Sequence, residues 1–136
     1  MSDEIFMRRA LGLAQRAREE GEVPVGCVVV QDGKVIGEGW NRPIAAADPT
    51  AHAEIQAMRA AATAIGNYRL TGATLYVTLE PCEMCLGAMF HARIARTVFG
   101  ATDPKKRVLK PQTVVEGGVM AAECGAILTE FFAARR

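Results

Sequence analysis

The chain has 136 residues, half of them hydrophobic and 23% charged, with 16 basic side chains against 15 acidic ones. These proportions exclude a disordered, collagen-like or polyelectrolyte chain, and the near-neutral balance excludes a general charge-driven hold on nucleic acid. The length suits one domain, residues 1–136, large enough to fold without disulfides or other staples.

No apolar run approaches the roughly twenty residues of a membrane helix, and residues 1–9 bring acids before the first apolar group rather than a secretory layout. A soluble, cytoplasmic protein with no membrane role is expected. Four cysteines in such a chain point away from a disulfide framework and toward metal chemistry or none.

In chain order, Ile5, Phe6, Ala10, Leu13, Ala14 and Ala17 recur at helical spacing, predicting an amphipathic helix over 3–20 that Gly21 stops. The β-branched run 23–30 predicts a buried strand, Asp32-Gly33 a tight hairpin, and 35–40 the returning strand. Pro43, Asp48 and Pro49 predict a loop over 41–50 that runs into a helix over 51–65, ended by Gly66-Asn67. A strand over 74–79 is broken by Glu80-Pro81 and feeds a helix over 82–92. A strand over 97–99 follows. Residues 101–112 hold Pro104, Pro111, Lys105, Lys106, Arg107 and Lys110, and read as an exposed functional loop. A short strand over 113–115 and a helix opening at Gly117-Gly118 complete the chain. Strands alternating with helices predict an α/β sandwich with helices on both faces of one sheet.

The chemistry concentrates in His52-Ala53-Glu54 and Pro81-Cys82-Glu83-Met84-Cys85, each at the start of a predicted helix. Two cysteines three apart on a first turn lie on adjacent faces, where the positive helix end favours the metal-binding thiolates. With one imidazole, His52, Cys82 and Cys85 make a three-ligand set suited to zinc, with a fourth position left for water, the pattern of a catalytic site. Water acidified there near pH 7 needs a proton carrier, and Glu54 is the nearest carboxylate suited to that role, ahead of Glu80 and Glu83. A Cys-x-x-Cys pair by itself suits a redox site or half of a structural zinc site equally well. A structural site would lack its fourth ligand here, because Cys27 and Cys124 fall in apolar patterns typical of buried thiols. His91, at the end of the second helix, reads as a C-terminal cap.

These motifs, with Val23-Pro24-Val25-Gly26, Trp40-Asn41-Arg42-Pro43, Asp48-Pro49-Thr50, Asn67-Tyr68-Arg69-Leu70, Phe99-Gly100-Ala101-Thr102-Asp103 and Phe131-Phe132, resemble the bacterial tRNA-specific adenosine deaminases of the cytidine deaminase-like superfamily. The resemblance covers almost the whole chain. It implies a three-layer α/β/α sandwich around a mixed sheet of about five strands, and one Zn2+ per subunit on His52, Cys82 and Cys85. It also implies Glu54 as general acid/base, in a homodimer acting on the anticodon loop of tRNA. Asn41 would hydrogen-bond the extruded nucleotide, the backbone near Ala53 and Cys82 would border the purine, and Asp103 would sit beside the ribose of the preceding nucleotide, favouring RNA.

Lys105, Lys106 and Arg107, with Arg135 and Arg136 at the C-terminus, would form a basic rim for the phosphate backbone, and Phe131, Phe132 and Tyr68 offer stacking surfaces. The chain departs from the family after Asp103-Pro104-Lys105, reaching Thr113 without the longer segment and short helix usual there. The implied reaction is hydrolytic conversion of adenosine to inosine at the wobble position. The alternatives are a deaminase of free guanine or cytosine or of adenine in single-stranded DNA, and a non-catalytic binding subunit that keeps zinc for folding.

Overall fold

The computed structural model describes residues 2–104 and 114–135. Helix α1 (Asp3–Glu19) carries Asp3 and Glu4 in its first turn and Arg16 and Arg18 in its last, each sign facing the opposite end of the helix dipole. Of the predicted stripe it buries Phe6, Ala10, Ala14 and Ala17, with Met7 added, while Leu13 is half-buried and Ile5 is exposed. The hairpin of β1 (Gly26–Gln31) and β2 (Lys34–Trp40) turns through Asp32 and Gly33, whose φ values of 52° and 75° are those of the primed turn that matches strand twist. A one-turn helix, α2 (Pro43–Ala46), precedes α3 (Ala53–Ile65), which closes on Gly66 in the left-handed region. Then follow β3 (Thr74–Leu79), α4 (Glu83–Ala92), β4 (Arg96–Ala101), β5 (Val114–Glu116) and α5 (Ala121–Ala133).

The strands form one mixed sheet in the order β2-β1-β3-β4-β5, with β1 antiparallel to both neighbours and β3, β4 and β5 parallel. Strand alternation sends Val28, Val30, Tyr76 and Val98 toward α1 and α5, while Cys27, Val29, Leu75, Val77 and Phe99 face α3 and α4. The result is the three-layer α/β/α sandwich that the family resemblance implied. Among the described residues, no helix is long and apolar enough to cross a membrane.

Several elements differ from expectation by one or two residues, and four places differ more widely. The first strand begins at Gly26 rather than Val23, because Val25 N–H bonds the Val23 carbonyl at 2.9 Å in a three-residue turn around Pro24, which has no donor for a ladder. The segment 41–50 contains α2, with Pro43 at a first-turn position where its missing N–H costs nothing. The fourth strand runs over six residues, longer than the expected 97–99. The last helix starts at Ala121, since Gly118 (φ 92°) and Met120 (φ 56°) hold left-handed backbone ahead of it.

Two features fix the scaffold around the site. Gly37 and Gly39 let α3 lie close on β2: a Cβ on Gly39 would run into the Ala57 amide and the Ala53 carbonyl. At the other end of the sheet, Arg96 forks onto both oxygens of Asp3 (2.9 and 2.6 Å) and onto Glu116 (3.2 and 2.8 Å), while Tyr76 Oη donates to Asp3 at 2.8 Å. That network joins the start of α1 to β3, β4 and β5. It holds Asp3 down to about 2, chiefly through the Arg96 hydrogen bond, and burial with the Asp3 bond raises Tyr76 to about 12.

Candidate metal centre and its carboxylate

His52 is the N-cap of α3 and Cys82 the N-cap of α4, both with extended backbone and neither using its side chain as a cap. Pro81 disfavours helical backbone at Glu80 before it, and the Cys82 and His52 carbonyls accept the first helical bonds from Leu86 and Gln56. The two side chains are thereby free to turn toward each other, and Cys85 joins them from the first turn of α4. His52 Nδ1 stands 3.6 Å from Cys82 Sγ and 3.6 Å from Cys85 Sγ. All three ligand atoms lie within 4.8 Å of one another, the one such group of histidine, cysteine and carboxylate ligands among the described residues.

This geometry fits zinc. A tetrahedral ion bonded at about 2.3 Å to sulfur and about 2.0–2.1 Å to nitrogen implies an N···S edge of about 3.6 Å, and both edges here have that length. Cys82 is held down to about 3 by hydrogen bonds from Cys85 and His52, which favour its thiolate form. The Cys85 thiol is pushed up by its bond to that thiolate and by burial, while His52 is raised by its bond to Cys82.

Glu54 sits in the first turn of α3 and is 4% exposed, with burial raising its carboxyl and Cys85 and His52 close enough to perturb it. Behind it lies Cys27, fully buried and pushed well up by burial and by the nearby Glu54 charge, so its thiol stays neutral. Cys124 is equally buried in the opposite layer. Neither cysteine belongs to the ligand group, in keeping with their apolar sequence patterns. Glu80 is engaged elsewhere, accepting the Asp103 amide at 3.1 Å, and Glu83 is exposed. His91 is exposed on the last turn of α4, edge-on to Phe90, and Arg93 makes the bond to the Phe90 carbonyl there.

Asn41 directly follows β2 and reaches the centre through its carboxamide: Oδ1 accepts the Ala53 amide at 2.8 Å, between His52 and Glu54. The Ala53 amide is therefore spoken for. Asp103 lines a cavity of about 520 Å³ with Leu79, Thr102, Leu128 and Phe132. Phe132 also borders a second cavity of about 340 Å³ that includes Asn41, Ile44 and Arg135. Phe131 is 5% exposed beneath the Arg135 guanidinium, 3.9 Å from its ring centroid, so the accessible ring of the pair is Phe132. Tyr68 is exposed across the α3–α4 groove. Lys105, Lys106, Arg107, Lys110 and Arg136 lie outside the described residues.

Sequence reasoning missed Glu22. It is 2% exposed between α1 and β1, and its carboxylate accepts the amides of Ile44 (3.2 Å) and Ala45 (2.8 Å) in α2. The available signal was an acid set among Gly21, Val23, Pro24 and Val25, a stretch otherwise without charge.

The model of the cytidine and deoxycytidylate deaminase zinc-binding region matches residues 1–101. The chain is 50% identical to a tRNA-specific adenosine deaminase of Haemophilus influenzae, over 98% of this chain and 85% of that protein. That alignment spans 147 positions against 136 residues here, so the relative carries residues this chain lacks. A structure from a study of A-to-I editing by tRNA:A34 deaminases at the wobble position superposes with a TM-score of 0.87 at 43% identity, covering 91% of this chain and 99% of that one. A guanine deaminase from Nitrosomonas europaea shares the fold, with a TM-score of 0.89 at 23% identity over 97% of this chain and 85% of that one.

Proposed function

Since this chain belongs to the zinc-binding family of cytidine and deoxycytidylate deaminases, we propose that it converts adenosine to inosine, with release of ammonia, at the wobble position of a tRNA anticodon loop. The observation that carries the proposal is the buried Glu54 carboxyl beside three converging ligand atoms, in a chain half identical to a tRNA-specific adenosine deaminase. A purely structural ion has no use for such a carboxylate.

His52, Cys82 and Cys85 hold one zinc ion, which when bound supplies a water acidified to near neutrality. Glu54 takes the proton of the attacking water and delivers it to N1 of the adenine as C6 is attacked. It then takes the remaining proton from the added C6 hydroxyl and passes it to the departing amine, so ammonia leaves and the C6 oxygen stays as the carbonyl of inosine. Because Asn41 spends its oxygen on Ala53, its NH2 group is the part presented to an acceptor on the purine. An anticodon loop suits a site of this kind, since its bases are already partly unstacked and one can be extruded at modest cost.

Around the centre, Asp103 accepts a ribose 2′-hydroxyl proton, its own amide already fixed by Glu80. Phe132 stacks on a flanking base over Phe131, and Arg135 with Lys105, Lys106, Arg107 and Arg136 makes the basic rim for phosphates. The single domain works as a cytoplasmic homodimer. The apolar groove of about 370 Å³ between α3 and α4, with Ile55, Met58 and Ala88 in it and exposed Phe90 nearby, supports self-association.

The test is inosine mapping on total tRNA incubated with the purified chain and zinc, alongside ammonia release from single-stranded DNA, guanine and cytosine. Inosine at the wobble position is the expected result. Ammonia from guanine with no inosine in tRNA overturns the proposal.

A further inference from the structure

Segment 41–52 both begins and ends at the metal centre, with Asn41 at one end and His52 at the other. It is closed at its root by two bonds: Arg42 N–H to the Ala51 carbonyl at 2.9 Å, and Ala53 N–H to Asn41 Oδ1 at 2.8 Å. Its far side turns through Ala47 in the left-handed region and an Asp48 carboxylate that takes both the amide and the hydroxyl of Thr50. Between them stands α2, four residues long. A single turn has almost no stability of its own, and α2 gains little from burial, having no buried residue and an Ile44 that is 75% exposed.

Two hydrogen-bonded points attach this segment to the α1–β1 loop. One is ordinary backbone, Asn41 N–H to the Val25 carbonyl at 3.1 Å. The other is Glu22, whose two oxygens each accept one first-turn amide of α2. A carboxylate 2% exposed is an expensive way to hold a loop. Two charge-assisted bonds at a helix start offset that cost, and they give a rigid fork in return. Glu22 and Asn41 also line the same cavity, together with Phe132 and Arg135.

We propose that Glu22 is a positioning residue for the deamination: its carboxylate locks α2 and, through it, fixes the Asn41 carboxamide against Ala53 beside the metal helix. The inference rests on the reading of the chain as a tRNA adenosine deaminase in which Asn41 contacts the base. A carboxylate suits this fork because the Ile44 and Ala45 amides each reach a separate oxygen of Glu22. A carboxamide offers one oxygen and turns an NH2 group toward the remaining N–H.

The test is a double-mutant cycle on the full-length, zinc-loaded enzyme: parent, Glu22→Gln, Asn41→Ala and the double variant, each measured for inosine formation in tRNA, zinc content and thermal unfolding. Glu22→Gln is expected to keep its zinc and to lose about 10- to 100-fold in kcat, the scale of a misplaced contact, with KM within about threefold. That loss should vanish in the Asn41→Ala background. Additive losses, an unchanged kcat in Glu22→Gln, or a rise in KM alone overturn the inference. Full activity in Asn41→Ala overturns it too, since nothing is then left to position. Should Glu22→Gln fail to fold, Glu22→Asp replaces it in the cycle: two acceptors on a shorter arm give a smaller kcat loss, again absent without Asn41, and full or additive activity refutes the idea. A parent enzyme that forms no inosine in tRNA defeats the functional proposal instead, a result visible before any Glu22 variant is made.

Discussion

Replacing Glu54 by glutamine separates chemistry from architecture at this centre. The side chain is 4% exposed, and burial is the main cause of its raised pKa, so an amide of the same shape fills the space without the penalty of a buried charge. The ligand atoms of His52, Cys82 and Cys85 are untouched, and zinc content should stay at that of the parent. What disappears is the proton carrier. Positioned acid/base groups contribute about 10²- to 10⁴-fold, or roughly 2.7–5.4 kcal/mol at about 1.36 kcal/mol per decade. Inosine formation in tRNA, read by nucleoside mass spectrometry, should fall by that factor, with Tm within about 2 °C of the parent and metal by elemental analysis unchanged. Turnover within tenfold of the parent at full zinc occupancy refutes the assignment. Loss of zinc along with activity would make Glu54 a ligand rather than a base.

Four other outcomes follow from the same coordinates. Asp3 is depressed in the folded chain from 3.8 to about 2, so its contribution to stability is complete above about pH 4 and fades as pH falls toward 2. Asp3→Asn should therefore lower Tm at pH 6 and flatten its decline over that acid range, and an unchanged acid limb tells against the Arg96 network. Gly39→Ala drives a methyl into the backbone of α3 and should cost about 1–3 kcal/mol or more in urea unfolding, with weaker zinc retention because His52 rides on that helix. Gly87, inside α4 with open space where a side chain would stand, should tolerate alanine and gain up to about 1 kcal/mol by the same measurement. Arg135→Ala should weaken tRNA binding and reduce the slope of log affinity against log salt by about one, and an unaltered slope removes Arg135 from the phosphate rim.

The convergence of His52, Cys82 and Cys85 was legible because its parts are local: Cys82 and Cys85 are one turn apart, and His52 and Cys82 each mark a helix start that proline or loop chemistry announces. The strand and helix alternation was equally plain, and with it the layered architecture. Helix α2 was not, because Pro43 and Pro49 dominate the composition of that stretch and a single turn has too few residues for a period to show. Glu22 escaped for a different reason. Its partners are backbone amides 22 and 23 positions away, and an amide is the same in every residue. Nor does helical spacing say which of two adjacent rings faces out, so Phe131 and Phe132 were indistinguishable until α5 was placed against the Arg135 guanidinium.

The donors of the centre belong to two helix caps separated by thirty positions in the chain. An ion bound there is a cross-link: it ties residue 52 to residues 82 and 85 and removes freedom from the open chain. Metal supply then governs more than turnover, because a chain starved of zinc keeps its sheet but loses the clasp between the first turns of α3 and α4. Cleavage of those turns by a protease should therefore be faster in chelator than in zinc, and equal rates would show that the ion is no clasp.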